Sequence, residues 1–115
     1  MAKIKVLFIC TANISRSRTA EDLLLGSSVY EAKSAGFKWC EGTGQLVTQE
    51  LVDWADRIIV MNENEDAHLT LLRSGFDVFS KDIYILDIPD RYRQGDPFLI
   101  MLLRDRLKNI AGINL

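Results

Sequence analysis

Histidine occurs once in these 115 residues, cysteine twice, and no apolar stretch approaches the length of a bilayer span. Each scarcity removes a class of protein. Two cysteines, Cys10 and Cys40, do not make the disulfide framework of a small secreted domain. His68 stands alone, and no set of His, Cys, Asp and Glu has metal-ligand spacing, so no metal is assigned. No Gly-Lys-Ser/Thr phosphate loop is present, so no nucleotide cofactor is assigned either. Lys and Arg number 14 against 16 Asp and Glu, interspersed to a net charge of −2, which offers no basic face for nucleic acid. Lys3 and Lys5 ahead of Val6-Leu7-Phe8-Ile9 imitate a signal peptide. The run is too short, no small-residue cleavage pattern follows, and Arg16 and Arg18 interrupt it. The expected setting is cytoplasmic, with reduced thiols and no membrane or nucleic-acid partner.

No repeat, linker or low-complexity tract divides the chain, and its length suits one domain over residues 1–115. The pattern predicts strands and helices in alternation. Lys3 to Ile9 is a β-branched and aromatic run suited to a strand buried on both faces. A helix is expected from Arg18 to Leu25, stopped by Gly26, and a second strand from Val29 to Ala35. Thr48 caps a second helix whose apolar face is Leu51, Val52, Trp54 and Ala55. Arg57 to Met61 reads as the central strand, and Asn62 with Glu65 as the capping box of a third helix. That helix holds Leu69, Leu71 and Leu72, with His68 mid-helix as a surface or partly buried residue rather than a catalyst, and ends at Ser74-Gly75. Ile83 to Ile88 is the fourth strand, Asp87 within it. Asp96-Pro97 then opens a last helix from Phe98 to Ile110, stopped by Gly112. Four strands alternating with helices imply an α/β fold, a four-stranded parallel sheet with helices on both faces. Ligands bind such sheets beyond the carboxyl ends of the strands, and Cys10 stands at the end of the first.

The segment that follows carries the chemistry: Cys10-Thr11-Ala12-Asn13-Ile14-Ser15-Arg16-Ser17. A loop between a buried strand and a helix N-terminus can turn successive N–H groups inward as an anion nest, with residues from Thr11 to Ser17 around the anion. A cysteine beneath that anion lies in a field that favours the thiolate, the nucleophilic form. Arg16 is spaced to return to the same anion and can grip two phosphate oxygens with one planar guanidinium. Ser17 can donate a hydrogen bond to the sulfur, and Asn13 suits a left-handed position in a loop without glycine.

The pattern Cys-x-x-Asn-x-x-Arg-Ser resembles the active-site signature of the low molecular weight protein tyrosine phosphatases. Ser17-Arg18-Thr19-Ala20-Glu21 is similar to that family's Ser-Pro-x-Ala-Glu helix start, with arginine in the proline's place. Ser34-Ala35-Gly36 and Arg57-Ile58-Ile59-Val60-Met61 fall where the family has similar segments. Leu86-Asp87-Ile88-Pro89-Asp90-Arg91-Tyr92 looks more like a compact bacterial subgroup of predicted phosphatases. The resemblance implies strand order 2-1-3-4 and hydrolysis of a phosphate monoester, phosphotyrosine or another aryl phosphate, through a cysteinyl-phosphate on Cys10. It also implies a general-acid aspartate after the fourth strand, as Asp-Pro followed by aromatics. Asp90 follows that strand and precedes Tyr92. Asp96-Pro97 matches the dipeptide, yet the helix cap accounts for Asp96 fully, so Asp90 is preferred and Asp96 stays open. Tyr92 and Trp39 are expected as opposite walls of a slot deep enough to favour an aryl phosphate. The family's usual histidine ahead of the second helix, which supports the loop, is missing; Glu41-Gly42-Thr43 stands there.

Two rival functions share this loop. A thioredoxin-coupled arsenate reductase needs two further cysteines downstream, and only Cys40 is present. A phospho-ligand binding module without turnover is the other. Cys40 is expected to be a passive packing residue, with resolution of an oxidised Cys10 as the alternative.

Overall fold

A computed structural model describes residues 2–115. Its elements run β1 (Ile4–Cys10), α1 (Arg16–Leu23), β2 (Tyr30–Gly36), α2 (Gln49–Trp54), β3 (Arg57–Val60), α3 (His68–Gly75), β4 (Asp82–Ile85) and α4 (Pro97–Ala111). The four strands form one parallel sheet in the order β2-β1-β3-β4, as expected.

Strand periodicity explains the layering. Val6, Phe8 and Cys10 point to one face of β1 and join a core with Leu99, Leu103 and Leu107 of α4 and with Ala20 of α1. Leu7 and Ile9 point to the other face, against Val52 of α2 and Leu72 of α3. Val6 to Ile9 are fully buried, each burial contributing roughly 1.5–3 kcal/mol against exposure. The strand order reverses between β1 and β3, so the crevice above their carboxyl ends lies directly over Cys10.

Element ends differ from expectation at three places. Helix α1 starts at Arg16, two residues early, because the Ser15 carbonyl already accepts the Thr19 N–H at 2.9 Å. Asn62 does accept the Glu65 N–H, at 2.7 Å, but this caps a turn; α3 begins only at His68, after Ala67 takes φ +53°. Strand β4 ends at Ile85, and Asp87 falls outside it with φ +58°. The helix caps Thr48 and Asp96 behave as read, accepting from the N–H groups of Leu51 and Phe98, and Gly112 ends α4 in the left-handed region. Among the described residues no helix is long and apolar enough to cross a membrane.

Candidate active site

The loop from Thr11 to Ser15 caps the sheet between β1 and α1, and its conformation is imposed by its neighbours. Asn13 takes φ +52° and is 2% exposed. Its side-chain oxygen accepts the Gln45 N–H at 3.0 Å, and its amide donates to Ser17 Oγ at 2.8 Å and Ser34 Oγ at 3.0 Å. Ser34 in turn donates to Glu21 Oε1. Gly36, opposite Cys10 in the β1–β2 register, leaves the room the loop needs: a Cβ there would lie 2.7 Å from Ala12 C and Asn13 N.

The sulfur has a hydroxyl within hydrogen-bond reach. Ser17 Oγ lies 2.9 Å from Cys10 Sγ and already accepts from Asn13, so its own hydrogen is free for sulfur. Cys10 is 3% exposed.

Arg16 is 1% exposed, and its guanidinium is held along one side only. Nη1 donates to Asp66 Oδ2 at 2.8 Å and to the Ile88 carbonyl at 2.9 Å. Nη2 reaches Thr11 Oγ1 at a long 3.4 Å. Among the described residues Nε has no hydrogen-bond partner; Asp90 Oδ1 stands 3.8 Å away. A buried charged donor without a partner is costly unless something later meets it.

Support for the loop comes from a residue expected at the surface or only partly buried. His68 is fully buried at the start of α3. Its Nδ1 accepts the Asn62 N–H at 3.0 Å, which leaves the ring proton on Nε2 to donate to Thr11 Oγ1 at 2.9 Å. The Phe37 ring lies tilted beside it. Burial first, then the charge of Arg16, hold the imidazole pKa down to about 4, against the opposing pull of Asp66 and Glu63. His68 is therefore neutral at physiological pH.

These groups open into a cavity of about 280 Å³ lined by Cys10, Ala12, Ile14, Ser15, Arg16, Asp90, Tyr92 and Arg93. Asp90 is the one carboxylate in that lining, and its side chain is 58% exposed. Asp96 caps α4 and does not line the cavity. Trp39 does not either: it is 67% exposed in the segment beyond β2, so it does not form the expected wall, and Ile14 lines the cavity with Tyr92. The chain past Gly36 is drawn back over the loop, with Phe37 and Lys38 N–H groups bonding to the Thr11 carbonyl, which leaves the Trp39 ring outside. Both cysteines are free, Cys10 buried and Cys40 exposed.

No protein-family model and no curated protein matches the sequence. Solved structures do match its shape. The low molecular weight protein tyrosine phosphatase of T. tengcongensis superposes with a TM-score of 0.70 at 21% identity, over 90% of this chain and 92% of that one. The chain has the fold of the low molecular weight protein tyrosine phosphatases. The tyrosine phosphatase Wzb from Escherichia coli K30, in complex with phosphate, is 28% identical over 93% of this chain and 95% of that one, with a TM-score of 0.59. A thioredoxin-dependent arsenate reductase from Corynebacterium glutamicum is similar at 18% identity and a TM-score of 0.58, over 90% of this chain and 56% of that one. Within this phosphatase fold, the present chain braces its loop with His68 of α3, where the sequence resemblance implies a histidine ahead of α2. Asp66 and His68 were both missed by sequence reasoning. The one available signal was that the sole histidine follows the end of β3, at the same sheet edge as Cys10.

Proposed function

We propose that this chain hydrolyses aryl phosphate monoesters, phosphotyrosine in a protein foremost, with Cys10 as nucleophile. The observation that carries the reading is the buried, unpartnered Nε of Arg16, in a guanidinium whose Nη1 side is already tied down and which lines the same cavity as Cys10. That leaves the Nε–Nη2 edge for two phosphate oxygens, the fork that a lysine cannot offer.

In this mechanism the Cys10 thiolate attacks phosphorus and the S–P bond forms as the P–O bond to the aryl group breaks. Asp90, protonated, gives its proton to the departing phenolate oxygen. Arg16 and the loop N–H groups hold the three equatorial oxygens as charge shifts among them. Asp90, now a carboxylate, takes a proton from water as the water oxygen attacks phosphorus. The S–P bond breaks, inorganic phosphate leaves, and the Ser17 hydroxyl stabilises the returning thiolate. Ala12, Ile14 and Tyr92 supply apolar wall for an aromatic ring. A cavity of about 280 Å³ suits one phosphoaryl group, below the size usual for larger ligands.

The test is hydrolysis of p-nitrophenyl phosphate without added metal, by wild type and Cys10→Ser. Wild type turns over and is inhibited by vanadate, and Cys10→Ser loses roughly a thousandfold or more. Activity that survives Cys10→Ser overturns the mechanism. Tight phosphopeptide binding with no hydrolysis by wild type would instead mark a binding module.

A further inference from the structure

Cavity size leaves most of a protein substrate outside the slot, so selectivity must come from its lip. The segment after Asp90, the acid loop of the proposed mechanism, runs Arg91-Tyr92-Arg93 where the resemblance implies aromatics after the aspartate. Tyr92 and Arg93 line the cavity; Arg91 does not, and its guanidinium stands 3.7 Å from Glu65.

Arg93 differs from the arginines around it. Arg16 is paired with Asp66 and Arg91 with Glu65, whereas Arg93 has no carboxylate partner and no side-chain hydrogen bond among the described residues. Its backbone is anchored nonetheless: its carbonyl accepts the Asp96 N–H at 3.1 Å, and the nearby Gly95 N–H donates to Thr19 Oγ1 of α1 at 3.0 Å. The chain as a whole carries a net charge of −2, so an unpaired cation at the cavity mouth runs against the general charge of the molecule. A guanidinium on a fixed base, beside a slot that admits one phosphoaryl group, faces whatever adjoins that group.

Resting on the phosphatase reading, we propose that Arg93 is a specificity residue that selects phosphotyrosyl segments bearing a second anion next to the phosphorylated residue. The second anion is a carboxylate or another phosphate, either of which a guanidinium forks. Because the contact is made at an exposed lip, it acts equally on ground state and transition state, and it belongs in KM rather than kcat.

The experiment compares four phosphotyrosyl peptides whose flanking residues are Glu, Gln, Lys or a second phosphotyrosine. Each is turned over by wild type, Arg93→Ala, Arg93→Lys and Arg93→Glu, and preferences are taken as ratios within each variant. Wild type favours the Glu and doubly phosphorylated peptides over Gln by roughly threefold to fivefold in kcat/KM, the size of an exposed ion pair. The preference shrinks with added salt. Arg93→Lys retains part of it, Arg93→Ala levels it, and Arg93→Glu inverts it toward the Lys peptide. Preference for the doubly phosphorylated peptide alone would support the proposal with phosphate as the second anion. A wild-type ratio near one, or an acidic preference that persists in Arg93→Glu, overturns it. The same ratios are read as binding affinities in the Cys10→Ser background. Absence of turnover would therefore count against the phosphatase reading while the Arg93 proposal is still decided.

Discussion

The phosphate loop and the acid loop face each other across one cavity and are built in opposite ways. In the first, Asn13, Arg16 and Ser17 are at most 2% exposed; Asn13 and Arg16 bond to groups far along the chain, and Ser17 to Cys10 and Asn13 within the loop. In the second, Asp90 is 58% and Arg91 70% exposed, and the backbone is held by a few turn bonds and by Gly95 to Thr19. Under the proposed mechanism the contrast separates two tasks. Donors that stabilise charge must be fixed before the anion arrives, or reorganisation cancels their benefit. A proton donor must instead meet leaving groups of varied shape, and it exchanges its proton with water between turnovers.

The largest effect that would break this division is on the acid loop. Asp90→Asn should lower turnover by roughly a hundredfold to ten-thousandfold for leaving groups of high pKa, and far less for activated ones. Asp96→Asn should change little, since asparagine caps a helix as well as aspartate does. Leaving-group dependence measured on a series of aryl phosphates decides between them. If Asp96→Asn shows the steep dependence, the two roles are reversed.

On the phosphate-loop side, His68 ties stability to pH. The folded chain keeps the imidazole neutral down to about pH 4, while the unfolded chain protonates it near its usual 6.5. Unfolded molecules therefore bind more protons in that window, and stability falls as pH drops through it, by about 3 kcal/mol once below the folded pKa. Denaturant unfolding of wild type and His68→Gln across pH 7 to 4 should show the steeper loss in wild type. Equal slopes would remove His68 from the brace.

The smallest expected effect is steric. Gly36→Ala sets a methyl 2.7 Å from loop backbone atoms, and the loop or the end of β2 must shift. About 1–3 kcal/mol of stability should be lost, together with phosphate affinity. Calorimetry and inhibition by inorganic phosphate measure the two, and a loss of stability with unchanged affinity would show that the loop is not templated by β2.

How far the sequence disclosed this molecule follows from the range of each interaction. Strand order, the left-handed Asn13 and the Asp96 cap rest on local pattern, spacing or resemblance, and in these three the structure agrees with the reading. Asp66 reaches Arg16 across 50 positions, and His68 reaches Thr11 across 57. Both depend on a turn that delays α3 by several residues, and nothing in Glu63-Asn64-Glu65-Asp66 singles out the carboxylate that turns inward. Trp39 was misplaced because an aromatic just past a strand end looks like a wall; the path of the backbone after Gly36 decides otherwise.

Asn13 carries one further consequence, for the order in which the molecule is built. The signature residues lie within positions 10–17, yet the groups that hold Asn13 arrive with Ser34, Gly36, Gly44 and Gln45. β2 reaches β1 only after the α1 crossover has closed, so loop-closure entropy must be met before the loop has a shape. A nascent chain that has emerged only through β1 and α1 carries every signature residue and no site. The site is thus assembled late in folding, once the sheet that shapes its loop exists.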